Sequence, residues 1–125
     1  MANMVYVSDV FYGLIEDIRI AYGANGVVYG SNVNWSAMNR VFVAAVSNHG
    51  FDSEYDNSGE NYFTDFHVRT RFTVAMNTGW YVSRSTASDI GAMYMIRVTI
   101  NAINGTLTNG AVFTRMSGKS LKFEI

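Results

Sequence analysis

The sequence predicts an α+β domain, an antiparallel sheet with two helices packed on one face, in the order α-β-β-α-β-β. Three observations carry this reading. Residues 8–22 place Val10, Phe11, Leu14, Ile15, Ile18, Ala21 and Tyr22 on one helical stripe. Residues 62–75 alternate, with Phe66, Val68, Thr70, Phe72 and Val74 on one side and His67, Arg69, Arg71 and Thr73 on the other, as a strand with one wet face does. Near the end, Ser117-Gly118-Lys119 lies between two apolar runs as the turn of a hairpin.

The first helix has its signals in place. Ser8 or Asp9 can cap its free N–H groups, and Gly23 can take the left-handed conformation that stops it. Residues 23–36 turn to Gly, Asn and Ser, with only Val27, Val28 and Tyr29 offering a short strand. Residues 40–47 are short and rich in valine, which suits a strand buried on both faces. This strand pairs with the alternating one as a hairpin closed by a long polar loop, 48–61. A second helix is read over 88–104, from the cap cluster at 85–89, the spacing of Ile90, Met93, Ile96, Ile100 and Ile103, and the stop Asn104-Gly105. Residues 111–116 and 121–125 form the closing hairpin, with Leu121, Phe123 and Ile125 pointing one way. No internal repeat, low-complexity tract or linker stands out.

At 125 residues and 13.9 kDa the chain fits one domain, 1–125. With 49% hydrophobic residues and a net charge of −1, it is neither a disordered tail nor a general basic nucleic-acid binder. Cysteine is absent, which removes disulfides, thiol catalysis and thiolate metal sites. The N-terminus lacks the basic start of a signal peptide, its first positive charge being Arg19, and the longest apolar run, 41–46, is far below a membrane span. The expectation is a soluble protein made in a cytosol, with no membrane partner.

No catalytic motif is present: there is no nucleophile elbow, phosphate loop or dinucleotide fingerprint. His49 and His67 lack motif spacing, so no catalytic, cofactor or metal residue is assigned. The run Asp52-Ser-Glu54-Tyr-Asp56 resembles the start of a calcium loop, but Asn57 and Phe63 stand where glycine and glutamate belong. Asp52, Glu54, Asp56, Glu60 and Asp65 are half of the acidic residues, with no Lys or Arg among them. They read either as a solvated loop or as a surface that repels polyanions or docks a basic partner. His67, Arg69 and Arg71 form the opposite stripe, open to an acidic partner or to carboxylates of a neighbouring strand. Eight Tyr, eight Phe, two Trp and seven Met exceed what one small core can hide. Tyr55, Tyr62, Trp35, Trp80 and Tyr81 are therefore candidates for exposure, with Trp35, Trp80 and Tyr81 assigned to a subunit interface.

The order of helix 8–22, strands 40–47 and 65–75, helix 88–104 and closing strand 121–125 resembles the tail-terminator family of long-tailed bacteriophages. The resemblance covers most of the chain and rests on the order of elements, with no signature motif. It implies a non-enzymatic virion protein, assembled in the host cytoplasm as a homo-oligomeric ring, most simply a hexamer. Such a ring caps the tail tube and meets the head connector, and DNA passes its lumen without sequence-specific binding. The acidic residues would then face the channel, and His67, Arg69, Arg71, Trp35, Trp80 and Tyr81 would serve subunit contacts. A tail-tube or neck-ring subunit is the nearest alternative. A small-molecule-binding or enzymatic α+β domain, with Trp35, Trp80 and the acidic loop at a pocket, is the second.

Overall fold

The computed structural model describes residues 4–53, 60–71, 74–83, 93–103, 105–113 and 121–124. Its elements are ten strands: β1 (Val5–Val7), β2 (Val10–Phe11), β3 (Leu14–Tyr29), β4 (Val33–Asn34), β5 (Ala37–Ser53), β6 (Asn61–Arg69), β7 (Met76–Val82), β8 (Met93–Asn101), β9 (Leu107–Phe113) and β10 (Leu121–Glu124). Every strand-to-strand ladder is parallel.

The register shows how the chain winds. β3 lies beside β5 from Leu14 opposite Ala37 to Tyr29 opposite Ser53. The first half of β5 then pairs with β6 and its second half with β7. β6 passes the ladder to β8 and β8 to β10, while β7 passes it to β9. This is a parallel β-solenoid, each rung laid on the one before. One wall holds the first halves of β3 and β5 with β6, β8 and β10. The facing wall holds β1, the second halves of β3 and β5, β7 and β9, and β2 with β4 makes a short third side.

One sequence pattern builds the first wall on four rungs. Ile15, Ile18 and Ile20 recur in register as Met38, Val41 and Val43, then Phe63, Phe66 and Val68, then Met95, Val98 and Ile100. The two-residue gap in each rung contains a left-handed residue: Asp17, Arg40, Asp65 or Arg97, with φ of 59°, 54°, 53° and 52°. That residue bends the strand outward and shifts the inward alternation by one position. Inside, Phe51 stacks on Trp80 at 4.0 Å, and Phe63, Phe66 and Tyr29 meet this pair or each other edge-on or tilted. Gly26, Gly50 and Gly79 face inward on successive rungs of the second wall, where a Cβ would collide with Val43, Val68 and Ile100 of the first. The glycines set how closely the walls approach.

Several sequence expectations are overturned. There is no α+β arrangement, and the described residues contain no helix. The segment read as a first helix holds β2 and the start of β3, and the one read as a second helix holds β8. Strands 40–47 and 65–75 are not an antiparallel hairpin, because β5 and β6 run parallel as neighbouring rungs. β10 pairs with β8 and β9 with β7, so the described residues form no closing hairpin. The cap cluster 85–89 and the turn 117–119 lie outside the described residues. The chain does repeat itself, with in-register partners 23 positions apart from Leu14 to Ala37, 25 from Ala37 to Tyr62 and 32 from Tyr62 to Tyr94.

Candidate functional site

The outer surface of the first wall carries a groove of about 700 Å³. Outward positions recur on each rung, so its side chains stand in columns. Nearest the bend is Asp17, Arg40, Asp65 and Arg97; next is Arg19, Phe42, His67 and Thr99; last is Ala21, Ala44, Arg69 and Asn101. Ala21 and Ala44 keep the floor low, and Arg71 with Tyr22 marks the far rim.

The bend column alternates in charge along the solenoid and pairs internally. Arg40 donates through Nε to Asp17 Oδ1 at 2.6 Å and through one terminal nitrogen to Glu16 at 3.0 Å. Arg97 donates through Nε to Asp65 Oδ1 at 2.5 Å and through a terminal nitrogen to Oδ2 at 2.9 Å. These bonds hold the Asp17 and Asp65 carboxyls below the usual carboxylate range. Both pairs are exposed, so they orient side chains more than they stabilise the fold.

The other cations are not neutralised in this way. Among the described residues no carboxylate pairs with Arg19, Arg69 or Arg71. Arg71 donates to the Tyr22 hydroxyl and lies 5.7 Å over the Tyr22 ring centre, which fixes its guanidinium at the rim. His67 Nδ1 sits 2.6 Å from the Thr99 hydroxyl. The groove is thus lined by four arginines against two aspartates, a net positive surface on a protein of net charge −1.

The structure gathers only part of the sequence-predicted sites. His67, Arg69 and Arg71 do share this groove. Trp80, expected at an interface, is fully buried in the core. Tyr81 stacks on His49 at 4.2 Å, and Trp35 stands exposed on a corner of the third side. The acidic residues do not form one surface. Asp52 is buried with Oδ2 3.2 Å from His49 Nδ1, near enough for attraction but out of line for a hydrogen bond. Glu60 accepts from the Tyr62 hydroxyl, and Asp65 is held by Arg97. Glu54, Tyr55 and Asp56 lie outside the described residues. Sequence reasoning missed Arg19, Asp17, Arg40 and Tyr22, all assigned to a helix or left outside any site. The signal that could have found them is the recurring pattern of three apolar residues spaced three and then two. It puts Arg19 in the same column as His67.

Comparison with family models, curated proteins and solved structures finds no match for this chain.

Proposed function

We propose that this protein is a binding module, and that its groove takes an extended acidic polysaccharide. The observation that supports this reading is the set of three guanidiniums, Arg19, Arg69 and Arg71, which have no carboxylate partner among the described residues, on a wall whose other described charges are paired. Arginine offers two parallel N–H donors to a carboxylate, so it suits uronate groups. Rungs repeat every ~4.8 Å, and Arg19 and Arg69 are two rungs apart, so they are offset by ~10 Å along the axis, about two sugar units. The wall's backbone groups are engaged in the ladders, which leaves no edge on this face for an acidic peptide to join as a strand. The reading is one of recognition and includes no catalytic step.

The ring-forming tail terminator remains a proposal without the helices that carried its resemblance, since the described residues hold none; the tube or neck-ring subunit and the small-molecule-binding or enzymatic domain remain proposals beside it.

The test is titration with a polyuronate, with a neutral polysaccharide and poly-glutamate as comparisons. The polyuronate should bind in a salt-dependent way, and Arg19→Ala and Arg69→Ala should each weaken it about tenfold, the effect of one charged hydrogen bond. Binding that both variants leave unchanged refutes the groove. Equal binding of poly-glutamate refutes the polysaccharide assignment.

A further inference from the structure

A second feature stands upstream of the groove on the same wall. One outward column reads Leu14, Ala37, Tyr62 and Tyr94 on successive rungs. The Tyr62 and Tyr94 rings lie parallel, with centres 4.7 Å apart and planes 9° from each other. That is the strand spacing itself, so the rings follow the rungs. One rung earlier the column holds Ala37, whose side chain ends at Cβ, so among the described residues Tyr62 has a ring on one face only. Leu14, 61% exposed, closes the level beyond, and Tyr62 is 38% exposed. Trp35, two residues before Ala37, is turned outward at a left-handed corner and stacks on Tyr12 at 5.5 Å. Leu14 and Tyr62 are two rungs apart, about 9.6 Å, which admits one ring roughly 4.8 Å from each.

We infer that this step is a binding site for a sugar ring. A pyranose has an apolar C–H face that stacks on a phenol or indole, and an edge of hydroxyls that must keep hydrogen-bond partners. The step supplies both. At the hydroxyl ends of the two rings, Glu60 accepts from the Tyr62 hydroxyl at 2.5 Å and from the Tyr94 hydroxyl at 3.5 Å, leaving carboxylate lone pairs for the hydroxyl edge of a sugar stacked on Tyr62. A lipid or an apolar peptide segment would bury the Glu60 charge with no cation and no further donor beyond the two tyrosine hydroxyls, which is costly. A nucleotide could stack but would bring phosphate against that carboxylate. The site needs no charge on its sugar, so it does not depend on the groove.

The experiment titrates the intact chain with three neutral hexasaccharides, β-linked glucose, α-linked glucose and β-linked N-acetylglucosamine. It follows Trp35 fluorescence, with Trp80 as the buried reference, and chemical shifts of the Tyr62 ring. At least one sugar should bind saturably and shift both signals. Tyr62→Ala should weaken it at least tenfold, and Ala37→Tyr, which places a fourth side chain in the step, should abolish binding while leaving the melting temperature within a few degrees. Arg19→Ala and Arg69→Ala should leave it unchanged, so loss of the groove reading and loss of this one are told apart. The inference is overturned if no sugar binds, if binding survives both Tyr62→Ala and Ala37→Tyr, or if the same signals respond to neutral lipid vesicles or a mononucleotide instead.

Discussion

Replacing Gly50 by alanine tests the solenoid where its two walls are closest. A Cβ there would lie 2.6 Å from the carbonyl oxygen of Gly79 and 2.9 Å from Val68 Cγ2, and nearer still to Val68 Cγ1. Ordinary contact begins near 3.4 Å. The walls must therefore part by several tenths of an ångström, and one obstacle is backbone held in the β5–β7 ladder. Overpacking costs about 1–3 kcal/mol, and a strained ladder bond adds about 1, so the expected loss is about 3 kcal/mol. In a chain of this size that is a fall of roughly 10–15 °C in melting temperature. Gly110 is the internal control, since it continues the same column but nothing lies within 4 Å of a Cβ built on it. Gly110→Ala should be neutral or raise stability by up to about 1 kcal/mol, through the unfolded chain. Urea denaturation of both variants, with Gly50→Ala/Val68→Ala added, gives the coupling energy. Removing the valine Cγ atoms should recover about 1 kcal/mol relative to additivity. Equal effects at Gly50 and Gly110, or no coupling to Val68, would refute the close packing of the walls.

The two tryptophans should behave oppositely: Trp80→Ala costs about 3–5 kcal/mol and Trp35→Ala less than about 1, read by chemical denaturation. Burial holds the Tyr29 phenol above the usual tyrosine range, and its hydroxyl bonds Ser36 Oγ at 2.8 Å. Folded Tyr29 keeps a proton that the unfolded chain releases above about pH 10, so this stability is complete below that pH and lost as pH rises. Melting temperature measured from pH 8 to 11.5 should fall more steeply in the native protein than in Tyr29→Phe. Arg97→Ala should move the Asp65 carboxyl back up toward the ordinary range, followed by carboxyl chemical shifts. The pair's small contribution is present at neutral pH and is lost as pH falls through the lowered Asp65 pKa; an unmoved Asp65 would show that Arg97 does not hold it.

The sequence by itself determined that the chain can form a core, that residues 66–71 alternate, and that His67, Arg69 and Arg71 share an outward stripe. It also contained the rung pattern, Ile15-Ile18-Ile20 and its three copies, but in a form that imitates a helix. A left-handed residue in each rung lengthens one inward step from two to three, and steps of three and two across Ile15, Ile18 and Ile20 pass for one face of a helix. The copies escape notice because partners are 23, 25 and 32 residues apart, the rungs differing in length between their strands. Only the tertiary structure decided which walls face each other, and with that the fates of the tryptophans. Trp80 stacks on Phe51 inside the solenoid and is fully buried, whereas Trp35 occupies a left-handed corner and is turned outward. It decided the groove as well. Arg19 and Arg69 are fifty residues apart in sequence, and only parallel winding brings them to neighbouring columns two rungs apart. Local spacing records which way a side chain points along its own strand; which strand lies beside it depends on contacts between distant residues.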